Sequence, residues 1–542
     1  MKTKRILSSI LALALILTLL PFAAVPAGAA WSGDGDGSPE NPYQIGTRLQ
    51  LLDFAARVNG AGDYEGKADS SLCGVLTEDI SLRRYEDWQA IGTTDEPYSG
   101  TFDGRGHSIT GLNVNSTVGV AGLFGYVGEN GVVENLSVSG TVTAEAVFCI
   151  AGGVVGRNYG TVQNCRNACT VTAAGDGAVA EAGGIAGLNS GTVQNCYNIG
   201  AIKGTDTAVN AGGIVGYIAI NGTVQNCYNA GAVTAMSTEE MGRTYGAGVV
   251  GSTSGTVLNC YNVGTTAATN QGGFVRPKGV VGYINMGTVT QCYYNTDTVG
   301  KNVTDIYADG LTDDEFRQQE KFAGFEFGEG KAWTYIDGCY PRLSAFPIFT
   351  VTYDGNGATS GVPKGNAWQP GDKAVISGAG EMTNGSMVMR FWNTEADGTG
   401  KDYLSGETVE FKADTVLYAQ WGEPAEISSV DDLMTFAERV NGGETELCAT
   451  LTKDIEAEGD TWLAIGSKDD PYTGVFDGGG HVIRGLDNSA YVDLDEETLL
   501  EEYNLSAPPQ YASLFAVIGK TGTVKNLGLE DGSLTVKFNE SY

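Results

Sequence analysis

The chain has 542 residues, 65 acidic against 32 basic, with a formal net charge of −33 and 42% hydrophobic residues. That balance excludes wholesale disorder, and it excludes nucleic acid or an anionic membrane face as a partner held by charge attraction. Glycine is the outlier at 79 residues, about twice the usual share of roughly 7%; with no Gly-x-y period, it points to many tight turns between short strands.

The first thirty residues read as a targeting segment. Lys2, Lys4 and Arg5 precede an apolar stretch from Ile6 to Leu20, then Pro21, Pro26 and the small residues Ala27, Gly28 and Ala29. This is the pattern of a secretory signal peptide with an Ala-x-Ala-type site, so the mature chain is expected to begin near Ala30 or Trp31. The apolar run is short for a spanning helix, which needs about 20 residues, and no membrane span is expected after cleavage.

Residues 31–146 hold a unit that occurs twice. TRLQLLDFAARVNG (47–60) matches SVDDLMTFAERVNG (429–442), and WQAIGTTDEPYSGTFDGRGHSITGL (88–112) matches WLAIGSKDDPYTGVFDGGGHVIRGL (462–486). Leu51, Phe54, Ala55 and Val58 lie at i, i+3, i+4 and i+7, as do Leu433, Phe436, Ala437 and Val440, the spacing of an amphipathic helix. A solenoid exposes its end strands, and such a helix covers them. The unit is therefore expected to be an N-terminal cap with the first rungs of a solenoid.

Residues 147–295 are repetitive. GTVQNCRN, GTVQNCYN, GTVQNCYN, GTVLNCYN and GTVTQCYY place Cys165, Cys196, Cys227, Cys260 and Cys292 at intervals of 31, 31, 33 and 32 residues. Between them stand AGGVVG, AGGIAG, AGGIVG, GAGVVG and KGVVG. Each repeat offers three apolar segments too short for helices. Stacked at a constant period, equivalent strands pair from repeat to repeat, and three parallel sheets wrapping one core are predicted. The fold class is all-β, a parallel β-helix; a propeller needs roughly 40 residues or more per blade.

Residues 296–346 read as a transition or C-terminal cap, with an acidic helical stretch from Asp313 to Lys321. Residues 349–421 alternate aromatic and β-branched positions between DGNG and ADGTG turns, the pattern of a small separate β module. Residues 425–542 repeat the opening unit and end after about one rung. Since about three repeats are needed to bury a continuous face, the sequence reads as a piece of a longer protein, or the stub docks elsewhere.

The AGGIVG and GTVQNCYN phrases resemble the GLUG-type repeats of bacterial surface and secreted proteins, and YSGTFDGRGHSITGL is similar to the opening of right-handed β-helix proteins of pectate-lyase-like shape. FTVTYDGNG, FWNTEADGTG and VLYAQW resemble the Listeria–Bacteroides repeat, the internalin-type B-repeat module. That resemblance implies a β-grasp-like fold for 349–421. Together the resemblances imply a cell-envelope or extracellular location, an adhesive or scaffolding role toward glycans or host and neighbour surface proteins, no cofactor and no defined reaction.

His107 and His481 occupy the same place in the duplicated FDGxGH phrase, with Asp103 and Asp477 before the glycines; turn and capping roles are expected, not a catalytic base. DGDGS (34–38) lacks the acidic twelfth ligand of a Ca²⁺ loop, Ile45 standing there, and reads as a flexible leader. A polysaccharide lyase or glycosidase, the alternative reading, needs carboxylates clustered on successive rungs. Asp176, Glu181 and Asp206 instead read as unregistered turn residues, so a non-enzyme is expected. A third reading is an accessory region of a larger secreted protease.

The cysteines, with no CxxC spacing and no neighbouring histidine, read as a reduced, buried stack and not as a zinc site. Asn164, Asn195, Asn226 and Asn259 before them are expected to form an amide ladder. Tyr197, Tyr228, Tyr261 and Tyr293, one residue after each cysteine, should point outward by strand alternation. They are expected either to offer a binding surface for sugars or a partner, or to form an aromatic ladder along one sheet.

Overall fold

The computed structural model describes residues 31, 33–83, 88–175, 177–240, 242–272, 275, 277–300, 303–380, 382–385, 387–457, 462, 464–468, 470–487, 513–519 and 522–533. The targeting segment and Asp176 lie outside them. The chain divides into two compact units, 1–348 and 349–542.

The first unit is a parallel β-solenoid whose repeat is seen in one rung. Val179–Gly183, Ala186–Asn189, Thr192–Gln194, and the pair Tyr197–Asn198 and Ile202–Asp206 are successive strands. Each pairs in parallel with its equivalent in the next rung, so that Val162, Val193, Val224, Val257 and Val289 form one column. These strands build sheets one to four in that order, of five, six, nine and twelve strands. The three sheets expected are thus four. The AGGxVG phrase is two strands around a corner, because its central glycine meets neighbouring backbone: a Cβ on Gly184 would lie 2.2 Å from the Gly213 carbonyl oxygen.

A continuous apolar core runs along the interior. The valine column from Val162 to Val257, Ala180, Ala182, Ile185 and the repeat cysteines are buried in one continuous cluster. Each fully buried valine is worth about 1.5–3 kcal/mol, and a constant period lets every rung make the same contribution.

Helix α1 (Arg48–Asn59) closes the first end. Thr47 caps it by accepting from the Gln50 N–H, and Gly60, in the left-handed region at φ 62°, ends it. Its buried face is Leu51, Phe54, Ala55 and Val58, and Phe54 packs on Tyr98 and Phe102 at 6.3 and 5.6 Å. The leader before it is built into the fold: Gln44 N–H donates to the Asp34 carbonyl and Cys73 N–H to that of Gly37. The expectation of a flexible leader at 34–38 is corrected by those bonds.

Asp309–Leu311 adds a last strand to sheet four, and residues from Leu311 to Phe346 then pack over the outer face of that sheet. The acidic stretch is a short helix, Asp313–Phe316, with a capping box between Thr312 and Glu315, followed by the 3₁₀ turn Gln319–Lys321.

The second unit opens with a mixed sheet whose first strand, Phe349–Asp354, pairs in parallel with its last, Thr415–Gly422. Asn366–Trp368 and Val388–Asn393 flank this pair in antiparallel fashion. Helix α2 (Val430–Asn441) then repeats the cap, burying Leu433, Phe436, Ala437 and Val440. The strand before it, Ala425–Ile427, and those after it, Ala449–Leu451, Val475–Asp477 and Thr523–Lys525, stack in parallel. The stretch expected to be a single rung unable to bury its own face has a core of its own, including Trp462, Tyr472, Phe476 and Ile483. The helix supplies the partner that a bare rung lacks.

Among the described residues, no helix is long and apolar enough to cross a membrane.

Candidate functional site: ladders and the corner groove

The tyrosines point away from the solenoid core, as alternation requires, yet they are not a surface. Tyr197, Tyr228 and Tyr261 are 0% exposed and Tyr293 3%. Their rings stack rung on rung, Tyr197 on Tyr228 at 4.9 Å and Tyr228 on Tyr261 at 5.0 Å, with nearly parallel planes in both cases. Phe316, Phe322, Phe325, Trp333, Tyr340 and Leu343 from the C-terminal cover close over them, and Tyr261 Oη donates to the Pro341 carbonyl at 2.7 Å. The expectation of a tyrosine binding surface is corrected: a segment remote in sequence occupies that face.

The amide ladder is also displaced. Asn164, Asn195, Asn226 and Asn259 sit at φ 51–53°, the left-handed conformation that asparagine tolerates best after glycine, and turn the chain from sheet three into sheet four. They do not chain together; the side-chain oxygens of Asn164, Asn195 and Asn259 lack a hydrogen-bond partner. The ladder belongs to the other asparagine of each phrase. Asn167 donates to Asn198 at 2.7 Å, Asn198 to Asn229 and Asn229 to Asn262 at 2.8 Å. Each amide also clamps its own turn, Asn198 accepting from Gly200 N–H and donating to the Gly200 carbonyl. Gln163, Gln194 and Gln225 form a second ladder at 2.7 Å. The sequence signal for both was present: the phrase ends in asparagine in four of five copies, Tyr294 being the exception, and its fourth position is glutamine except at Leu258 and Thr290.

The cysteine stack runs between these ladders. Each thiol donates to the carbonyl two residues earlier, as from Cys196 Sγ to Gln194 O at 3.1 Å. Sulfur in turn accepts the backbone N–H of the preceding rung's cysteine, Cys165 N–H to Cys196 Sγ and Cys196 N–H to Cys227 Sγ, both at 3.4 Å. Burial pushes the thiols of Cys165, Cys227 and Cys292 up. All ten cysteines are buried. Since every sulfur is shielded from solvent, a thiol reagent is expected to modify the native protein only slowly and to count ten thiols in guanidinium; a smaller count would reveal disulfides.

His107 and His481 stand at turns, with Nδ1 3.5 Å from Asp79 and 3.2 Å from Asp454. Asp103 and Asp477 accept backbone N–H groups within their turns and the side-chain amides of Asn135 and Asn526. No group of three or more His, Cys, Asp or Glu among the described residues is placed to hold a metal ion.

The two remaining carboxylates differ from expectation. Asp206 ends a strand and is fully buried, accepting N–H groups from Gly177, Ala178 and Thr207. Glu181 lies within sheet one, not in a turn, because Ala180 and Ala182 on either side point into the core and turn it outward. There it enters a concave corner between sheets one and two. The outward column of sheet one runs Ile150, Glu181, Asn210, Tyr245. That of sheet two runs Arg157, Leu188, Tyr217, Ser252, Tyr283. The last glycine of each AGGxVG phrase lets the two sheets pack closely there; a Cβ on Gly187 would meet Ile150 at 2.6 Å, and one on Gly216 the Ala182 nitrogen at 2.8 Å.

Desolvation pushes the Glu181 carboxyl up to about 7, partly offset by the Arg157 guanidinium. Between its ordinary value and 7 the folded state keeps a proton that the unfolded chain has lost, so stability falls as pH rises through that window. Glu181→Gln, which cannot ionise, should therefore be more stable than the parent at pH 8 and about equal at pH 4. Equal gains at both, read from denaturant midpoints, would refute this.

No protein-family model matches the chain. A proposed Gly-rich membrane protein of Evansella cellulosilytica is 36% identical over 137 residues, covering 24% of this chain and 15% of that protein. Halomucin of Haloquadratum walsbyi is 30% identical over 152 residues, covering 26% of this chain and 2% of that protein. The chain thus spans only a small part of either relative. The crystal structure of a proposed immunoglobulin A1 protease from Bacteroides ovatus is 20% identical with a TM-score of 0.43, covering 58% of this chain and 95% of that one.

Proposed function

We propose that this β-solenoid is an exported, non-catalytic repeat scaffold of the bacterial cell surface that holds a ligand-binding face, either carbohydrate or protein. The observation that carries the reading is the uniformity of the rungs. Valine, cysteine, asparagine and glutamine columns repeat in register from Val162 to Asn262, which builds a long rigid rod from nearest-neighbour contacts. The two relatives, one named for a membrane and one as a mucin, support a surface setting, as does the pattern of residues 1–30.

Fractionation of cells expressing the tagged full chain tests the location. Recovery in the envelope or medium, with loss of signal when intact cells are treated with protease, is expected; retention in the cytoplasm would sink the proposal. Incubation with polysaccharides tests the non-catalytic part, which the appearance of shortened chains would overturn.

A further inference from the structure

We propose that the cleft between the mixed sheet and the capped parallel strands of the second unit binds an extended polypeptide segment of another protein, one that carries both basic and apolar side chains. This rests on the scaffold reading above and names the site and the chemical class of the partner.

Three observations meet there. First, the cleft is large: it encloses about 1630 Å³ and lies wholly within the second compact unit. Small-molecule sites run to roughly 300–1,000 Å³, so a longer, linear occupant suits it better. Second, one wall is apolar and reachable from solvent. Val375, Met387 and Leu404 line it at 52%, 40% and 44% exposure, with partly buried Trp421 beside them and the more buried Met382 and Met389. Apolar side chains left exposed around one cavity mark a contact surface, and methionine adapts to apolar partners of varied shape. Third, the opposite wall is polar. Ile427, Ala449, Leu451 and Phe476 turn into the core, so Glu426, Thr450, Asp477 and Lys525, which pair in register beside them, form a row on the outer side.

The occupant follows from charge and shape. The cleft presents the carboxylates of Glu407, Glu423, Glu426, Glu446 and Asp477 against the cations of Arg390 and Lys525, and Lys525 is engaged by Asp477 at 3.3 Å. Burial, with the Asp402 carboxylate nearby, holds the Glu446 carboxyl above its ordinary value; a cation beside it favours the ionised form. Lysine or arginine side chains therefore fit the acidic wall. In an extended chain the alternate side chains point the other way, and if they are apolar they meet the methionine wall. The net charge of −33 draws a cationic partner in and disfavours an acidic one. A glycan would want several flat aromatic platforms, and among the described lining residues Trp421 is the sole aromatic ring.

The test is fluorescence anisotropy of the full mature chain with labelled peptides of alternating Lys-Leu, Lys-Ser or Glu-Leu, each about ten residues and so roughly 33 Å long when extended. The Lys-Leu peptide should bind, the Lys-Ser peptide about tenfold or more weakly, and the Glu-Leu peptide not at all. Glu426→Gln with Glu446→Gln, and separately Met387→Ser with Leu404→Ser, should each weaken Lys-Leu binding about tenfold. These side chains are exposed or only partly buried, and circular dichroism checks that each variant folds; the two pairs probe the two walls independently, so either suffices if the other misfolds. Glu239→Gln with Glu240→Gln makes the same change of net charge at exposed positions of the first unit and should leave binding unchanged. No binding of the Lys-Leu peptide, equal binding of the Lys-Ser or Glu-Leu peptide, or binding that both cleft variants retain would overturn the proposal. So would an equal loss in the first-unit variant, or cleft-dependent binding of cellohexaose in place of the peptide. Envelope location without Lys-Leu binding would sink this proposal and leave the scaffold reading standing, whereas cleft-dependent binding by a chain retained in the cytoplasm would do the reverse.

Discussion

Asn229→Ala is expected to destabilise the solenoid strongly. Asn229 is fully buried. Its amide donates to the Gly231 carbonyl at 2.9 Å and to Asn262 at 2.8 Å, and accepts from Gly231 N–H at 3.1 Å and from Asn198 at 2.8 Å. Alanine removes all four bonds where no water can replace them. At about 1 kcal/mol per bond, and more where a group is left unpaired, the loss is on the order of 4 kcal/mol. Asn229→Asp should be no better, since a carboxylate cannot donate to Gly231 O or Asn262. Because a solenoid's stability is a sum of rungs and nearest-neighbour interfaces, the damaged rung should also split the transition. Urea unfolding followed by circular dichroism checks this, and a midpoint within about 0.5 kcal/mol of the parent, the scatter of surface changes, would refute the ladder's role.

Tyr261→Ala should release the C-terminal cover from sheet four. The ring touches Tyr228 within the ladder and Phe316, Phe322, Phe325 and Trp333 in the cover, all at centroid distances of 5.0–6.5 Å. Truncating so large a buried side chain costs about 3–5 kcal/mol, and here the cavity falls at the seam between two layers. Amides of residues 311–343 should exchange faster with solvent and the segment should become sensitive to protease. Tyr261→Phe keeps the stack and loses the bond to Pro341 O, costing about 1 kcal/mol. Unchanged exchange in the alanine variant would show that the tyrosine column does not anchor the cover.

Much of this molecule could be read residue by residue. The period, the interior cysteines and the two helical caps follow from local pattern. Leu51, Phe54, Ala55 and Val58 share a helix face whatever surrounds them, and a repeated phrase pairs best with its own copy in register. The corner at Gly184 and the left-handed asparagines were less legible. Asn195 and Asn198 flank the same Cys-Tyr pair; backbone conformation alone assigns one to the turn and the other to the ladder.

What the sequence by itself determined is the rung: its length, its apolar columns, its parallel stacking and its cap. What only the tertiary structure decided is which outward face is free. Alternation sends Tyr197 and Tyr245 outward alike. The first is sealed by residues more than a hundred positions further along the chain, and the second is left partly exposed. Strand periodicity specifies which side of a sheet a residue takes, but whether that side meets water depends on contacts between segments far apart in sequence, which no local pattern encodes.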